Sequence, residues 1–205
     1  MKVILINGSP NARGCTYTAL QEVEKILNAE NIDTEIIQIG HKDIRGCIGC
    51  RQCKKIGKCI FDDCVNDVAA KFIECDGIVI GSPVYFASAN GTLVSFIDRL
   101  FYSSQCDKTM KVGAAVVSAR RGGCSATFDE LNKYFTISSM PVVSSQYWNS
   151  VHGYTAEDVR KDAEGLQTMR VLGKNMAFLI KSIQLGKEKY GLPEKEKSVH
   201  THFIR

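Results

Sequence analysis

Apolar residues along the chain fall into two alternating patterns. Short unbroken runs at 2–7 (KVILIN), 34–39 (TEIIQI), 77–83 (GIVIGSP) and 111–119 (KVGAAVVSA) have the continuous, β-branched character of strands buried on both faces. A fifth strand is expected within 141–148 (PVVSSQYW). Between these runs apolar positions recur at helical spacing. Leu20, Val23 and Leu27 mark a helix over 16–29, and 66–75 reads as a second, with Asn66 as its N-cap. Leu93, Phe96, Ile97, Leu100 and Phe101 mark a third over 91–102. A fourth covers 125–135, and one long final helix spans 155–183, with Thr155 and Asp158 spaced as a capping box. Five buried strands alternating with helices predict one parallel sheet covered on both faces, with right-handed crossovers. In such sheets ligands bind beyond the carboxyl ends of the strands. Chemistry is therefore expected in the loops after strands one, three and four.

The chain length of 205 residues suits one domain over 1–185, containing a cysteine-rich loop at 46–64. A charged tail over 186–205 is expected to be loosely held or packed on a neighbouring subunit. Net charge is +4, too small an excess to argue for nucleic acid. The opening VILI run is too short for a signal peptide, and no segment approaches the ~20 apolar residues of a membrane span. The expectation is a soluble cytoplasmic protein with no membrane partner. In that reducing compartment, nine cysteines lean toward metal binding or catalysis and away from structural disulfides.

The first loop, NGSPNARGCTYT (7–18), leads small and hydroxylated residues straight into a helix. Free N–H groups at a helix start bind anions; Ser9 and Thr16 add hydroxyls and Arg13 adds charge. The spacing is neither G-x-G-x-x-G nor G-x-x-x-x-G-K-[ST], so a single terminal phosphate fits better than a pyrophosphate or a triphosphate. The alternative is an ordinary capped turn. The second loop, GSPVYFASANG (81–91), sets Tyr85 and Phe86 in an uncharged stretch stiffened by Pro83. It would wall a flat aromatic cofactor, or simply cover the sheet end. In the third, SARRGG (118–123), two glycines permit close backbone approach, and Arg120 and Arg121 face either an electron-rich ligand or solvent.

Cys47, Cys50, Cys53 and Cys59 follow C-x2-C-x2-C-x5-C, close to the compact thiolate arrays that hold iron–sulfur clusters. Gly46, Gly49 and Gly57 let the backbone fold round a cluster, and Lys54, Lys55 and Lys58 would offset its negative charge. Zinc, bare thiols and a disulfide formed on oxidation remain open as alternatives. Cys64 is a spare nearby, and Cys75, Cys106 and Cys124 are expected as small buried residues. The histidines form no metal-binding array: His152 falls near the expected site, and His200 and His202 lie in the tail.

Taken together, GSPNARGCT (8–16), GSPVYF (81–86) with FIDR (96–99), SARRGG (118–123) and SSMPVVSSQYWNSVHG (138–153) resemble the NAD(P)H-dependent FMN reductase family of the flavodoxin-like superfamily. The likeness runs to about residue 183. It implies a flavodoxin-like doubly wound α/β fold, a five-stranded parallel sheet in the order 2-1-3-4-5, and bound FMN. It places Ser9, Arg13, Cys15 and Thr16 round the phosphate, and Pro83, Val84, Tyr85 and Phe86 along the isoalloxazine and ribityl chain. Ser118, Arg120 and Gly122 would meet the pyrimidine edge. Cys15 departs from the Asn that many members carry, and a thiol is the weaker donor. Asp98 and Arg99 are expected to form an internal ion pair. Hydride transfer would belong to the flavin, so the resemblance assigns no catalytic side chain. NAD(P)H would be the cosubstrate, and a quinone, a nitroaromatic or free flavin the acceptor. The cysteine spacing further resembles the iron–sulfur flavoproteins, whose compact motif after strand two holds a [4Fe–4S] cluster that relays electrons between FMN and a ferredoxin-like partner. The resemblance also implies a homo-oligomer, with Tyr147, Trp148 and the tail as contact surfaces.

Overall fold

Four of the expected strands form where the apolar runs lie: β1 (Lys2–Asn7), β2 (Asp33–Gln38), β3 (Gly77–Pro83) and β4 (Val112–Ala119). With β5 (Ser150–His152) they make one parallel sheet in the order β2-β1-β3-β4-β5 in the computed structural model, which describes residues 1–201 and residue 203. The helices are α1 (Cys15–Ala29), α2 (Cys53–Ile56), α3 (Cys64–Glu74), α4 (Gly91–Ser103), α5 (Cys124–Thr136), α6 (Ala156–Lys161) and α7 (Ala163–Tyr190).

Successive strand residues serve opposite faces of the sheet. Val3, Leu5, Val79, Ala114 and Val116 share one core with Leu20, Val23 and Leu27 of α1 and Met169, Leu172 and Met176 of α7. Ile4, Ile6, Ile78, Ile80, Ala115 and Val117 share the other with Phe72, Phe96, Leu100, Leu131 and Phe135 of α3, α4 and α5. The central strands β1, β3 and β4 are covered on both faces, so their polar end residues gather at the carboxyl edge. There the register aligns Asn7 with Gln38 and Gly81, Pro83 with Ser118, and Ala119 with His152.

Three expectations need correction. The fifth strand is not within 141–148. That segment touches β4 only at a bridge from Val142 to Gly113, then leaves the sheet and exposes Tyr147 and Trp148. The Asn149 side chain donates to the Ala115 carbonyl at 3.0 Å, and the sheet resumes at Ser150. The final helix is two helices. Asp162 leaves helical geometry, and its carboxylate accepts from the Gly165 and His152 N–H groups at 2.9 and 2.6 Å. The expected capping box does form at the start of α6, between Thr155 and Asp158. α3 begins at Cys64 with Asp63 as its cap, so Asn66 is inside the first turn.

α7 runs to Tyr190, beyond the expected end at 183, and stops at Gly191 in a left-handed φ of 75°. Lys195 then pairs with Asp107. His200 is exposed, and His202 lies outside the described residues. No helix among the described residues is long and apolar enough to cross a membrane.

Gly113 lies under the Phe135 ring, where an added Cβ would come within 2.5 Å of ring carbons. Overpacking of this kind costs about 1–3 kcal/mol. Gly113→Ala is expected to lower the urea midpoint accordingly with an unchanged slope; an unchanged midpoint would contradict this seating of the ring.

Candidate functional site

The first loop is folded by its own side chains and by β2. Gly8 donates to the Gly81 carbonyl at 2.8 Å, so closely that a Cβ would strike Leu93 and that oxygen. Asn7 Oδ1 accepts from the Ser9 N–H, Ser9 Oγ from Asn11, and Asn11 Oδ1 from Arg13. Gln38, held by Asn7, donates to the Ser9 carbonyl at 2.6 Å. α1 then opens at Gly14 with no side-chain cap, which leaves first-turn N–H groups and the positive end of the helix dipole for an anion. Thr16 Oγ1 and Ser118 Oγ share a buried hydrogen bond of 2.8 Å that ties this loop to the end of β4. Burial, with a weaker push from the Asp158 and Glu157 charges, raises the Cys15 thiol pKa. Cys15 is therefore neutral near pH 7 and sets no charge against an anion.

The second loop turns tightly. Tyr85 and Ser88 exchange backbone hydrogen bonds, and Phe86 and Ala87 between them both take positive φ, 52° and 60°. That is the sign of a type I′ turn, here without glycine and hence strained. Glu130 of α5 holds it, accepting from the Ser88 hydroxyl and the Ala89 N–H, each at 2.8 Å. On the third loop Gly123 packs so close to Val84 and Ala87 that a Cβ would sit 2.8–2.9 Å from them.

These loops enclose a cleft of about 730 Å³, within the ~300–1,000 Å³ range of small-molecule sites. Ser9, Arg13, Cys15, Thr16, Pro83, Val84, Tyr85, Ser118 and Arg120 all line it. Phe86 and Gly122 do not: Phe86 is the exposed apex of its turn, and Gly122 lies outside the lining. Sequence reasoning missed Gly153, Tyr154, Thr155, Ala156 and Glu157, which close the cleft's far side. They follow β5, and the misplaced strand hid the loop; the capping box and the family-like run ending at Gly153 were its signs. It also missed Gly40, whose Cβ would lie 2.2 Å from the Ser9 carbonyl carbon. His152 is outside the cleft, with Nε2 3.8 Å from Cys124 Sγ.

Cys47, Cys50, Cys53 and Cys59 are free thiols and bound a second, narrow cavity walled by Ile48, Ile60 and Phe61. Among the described residues, no three His, Cys, Asp or Glu side chains close to single-ion geometry. Four thiols lining one cavity are the donor set a cubane takes, with each thiolate on a separate iron. The free space is about 20 Å³, roughly one water. A larger group needs more room than this; the Cys47–Arg51 turn beside the cavity is exposed, and nothing lies within 4 Å of where a Cβ on Gly49 would be.

The inner wall of this cavity is α4. Arg99, 1% exposed, donates from Nε to Cys59 Sγ at 3.3 Å and from both terminal nitrogens to Asp63, at 2.6 and 2.9 Å. It also donates to the Arg45 carbonyl and lies 4.9 Å from the Phe61 ring centroid. Burial pulls the Arg99 pKa down, but the hydrogen bonds to Asp63 and Cys59 outweigh it and hold the guanidinium above its ordinary value. The expected Asp98–Arg99 pair is therefore wrong. Successive helical residues point in different directions, and Asp98 instead accepts from the Tyr134 hydroxyl. Asn66, displaced from its expected capping role, grips Cys59 through both its N–H and its carbonyl. Ser103, one turn on from Arg99, presents a buried hydroxyl with no partner. The residues suit both cofactor classes in chemistry, an uncapped helix start for a phosphate in the cleft and four thiols beside an unpartnered hydroxyl at the cavity, although the cavity as it stands is smaller than a cluster.

The family model of NADPH-dependent FMN reductases matches residues 1–155. An iron–sulfur flavoprotein of Methanocaldococcus jannaschii is 36% identical over 192 residues, covering 90% of this chain and 100% of that protein. Among solved structures, RosB with bound 8-demethyl-8-formylriboflavin-5′-phosphate superposes with a TM-score of 0.71 at 14% identity, over 100% of this chain and 94% of that one. A flavodoxin from the domain Archaea superposes at 0.61 and 16% identity, over 88% and 99%. At these identities the superpositions establish the flavodoxin-like fold.

Removing one partner of a buried ion pair costs about 3–5 kcal/mol, and the lower end applies here because Asp63 keeps a quarter of its side chain in water. Arg99→Met is expected to lose about 3 kcal/mol in chemical denaturation. Asp98→Asn should lose under about 1 kcal/mol. Equal losses would contradict the pairing.

Proposed function

The chain belongs to the NADPH-dependent FMN reductase family, in its iron–sulfur flavoprotein branch, and we propose that it is a two-centre electron-transfer flavoprotein. FMN would occupy the cleft, and Cys47, Cys50, Cys53 and Cys59 would hold a [4Fe–4S] cluster. The observation that carries this reading is that the four thiols bound one cavity against α4, the helix whose first turn packs beside Gly8 of the anion loop. On α4, Leu93 packs under Gly8, and Arg99 and Ser103 lie roughly 9–15 Å further along the axis.

FMN supplies two-electron exchange with a nicotinamide and stepwise exchange with a metal centre; a [4Fe–4S] cluster supplies one electron at a time. The protein positions and insulates. Ser9, Thr16 and the α1 amide groups would hold the phosphate, with Arg13 and the neutral Cys15 beside it. Pro83, Val84 and Tyr85 would bound the ring, and Ser118 and Arg120 its polar edge. The Arg99–Asp63 pair fixes the entry of α3 and keeps the Cys59 loop against α4. Free thiols suit a reducing, cytoplasmic setting. Exposed Phe86, Tyr147 and Trp148 offer apolar surface for a second copy of the chain. A second reading is a plain NAD(P)H-driven reductase serving a quinone or similar acceptor. The half-exposed Tyr85 and the Arg120 side chain on the open rim favour it, since they leave room for a stacked nicotinamide.

Anaerobic stopped-flow reduction of the bound flavin separates the two. Reduced ferredoxin is expected to act at least tenfold faster than NADH or NADPH at equal concentration; the reverse order would overturn the carrier reading and leave the reductase. Gly40→Ala, which pushes on the Ser9 carbonyl, is expected to weaken FMN binding at least tenfold in a fluorescence titration of the apoprotein. Unchanged affinity would remove the first loop from the phosphate site.

A further inference from the structure

The wall that α4 gives the thiol cavity has a composition that packing alone does not explain. Arg99, Tyr102 and Ser103 recur at helical spacing and all line it. Arg99 already spends one N–H on Cys59 Sγ. Ser103 is 3% exposed, and its hydroxyl finds no partner. A buried unsatisfied hydroxyl costs about 1–3 kcal/mol, and native structures rarely keep one without a reason. Two positions along, Phe101 shows that this helix also carries large apolar side chains in its packing. A buried donor without a partner, on a residue that borders a cavity lined by thiols, has a complement in a sulfur that carries negative charge.

We propose that Arg99 and Ser103 set the reduction potential of the cluster held by Cys47, Cys50, Cys53 and Cys59, Arg99 through its Nε–H on the Cys59 thiolate and Ser103 through its hydroxyl on a cluster sulfur. This rests on the cluster reading of the cavity. One-electron reduction of a cubane, by a ferredoxin or by dithionite, adds one negative charge; no bond breaks and no proton is required. Hydrogen bonds to the sulfurs and a nearby buried cation stabilise that added charge and raise the potential. Asp63 opposes the effect, because its carboxylate neutralises the guanidinium at 2.6 and 2.9 Å. The three residues therefore act with known and opposite signs. Arg99 and Ser103 are positioning residues in this scheme; the electron moves on the metal centre.

The test uses the holoprotein purified without oxygen, with iron and sulfide assayed, and a dithionite titration followed through the reduced cluster's own paramagnetic signal. Ser103→Ala removes one oxygen that has no protein partner, so it is expected to keep its iron and its denaturation midpoint. At the potential where the wild type is half reduced, its reduced-to-oxidised ratio is expected to fall several-fold; tenfold would be 59 mV for one electron. Asp63→Asn, which preserves a good helix cap, is expected to move the ratio the other way. Iron retained with both ratios unchanged, or both moving in the same direction, would overturn the proposal and leave the cluster reading standing. A wild type without iron or sulfide would overturn the cluster reading itself.

Discussion

The register of the parallel sheet brings Asn7, Gln38, Gly81, Pro83, Ser118 and His152 to one edge, and the chain's chemistry is built on that edge or on the helix that leaves it. With β1, β3 and β4 covered on both faces, the carboxyl edge is where their backbone and side-chain polar groups accumulate. Asn7 illustrates the economy. It ends β1, orients Gln38 with its amide and receives the Ser9 N–H on its carbonyl oxygen, so a single buried side chain shapes the anion loop. Gly8, Gly40 and Gly81 are glycines because backbone approaches backbone or a core side chain too closely for a Cβ. The cleft is thus a consequence of strand register, refined by a few polar side chains.

The cysteine loop is organised differently. It has little regular structure of its own, and one buried guanidinium collects it. Arg99 ties the Arg45 carbonyl, the Cys59 thiol, the Asp63 carboxylate and the Phe61 ring to α4. Asp63 in turn caps α3, so the helix that follows the loop starts where the ion pair ends. Cys53 and Cys59 are held against this frame, while Cys47 and Cys50 are exposed on the outer turn. Such a loop has an inner half packed on α4 and an outer half open to solvent.

Strands β1, β3 and β4 were legible because burial on both faces leaves an unbroken apolar run. β5 was not: three residues, SVH, carry no run, and the more apolar PVV just upstream drew the assignment. The Asn149 side chain does there what a strand backbone would have done. The break between α6 and α7 was hidden for a similar reason. Asp162 looks like one more surface residue on a helix until its carboxylate is seen on two N–H groups. Sequence spacing brought Arg13, Cys15, Tyr85 and Arg120 to one cleft because each lies within a few residues of a strand end. It could not identify the partner of Arg99, which is 36 positions away, or the lone hydroxyl of Ser103. Long-range pairing and unmet hydrogen bonds leave no local pattern.

The central claim is that one chain carries both a flavin and a cluster. It is tested most directly by an absorption spectrum of protein purified without oxygen, with FMN, iron and acid-labile sulfide assayed on the same sample. The structure leads us to expect one FMN and about four irons with matching sulfide per chain, as a cubane requires. It also leads us to expect that Cys53→Ser loses the iron and keeps the flavin. A clean flavin spectrum without iron in protein so prepared would contradict the two-centre account, and the four thiols would then need another purpose.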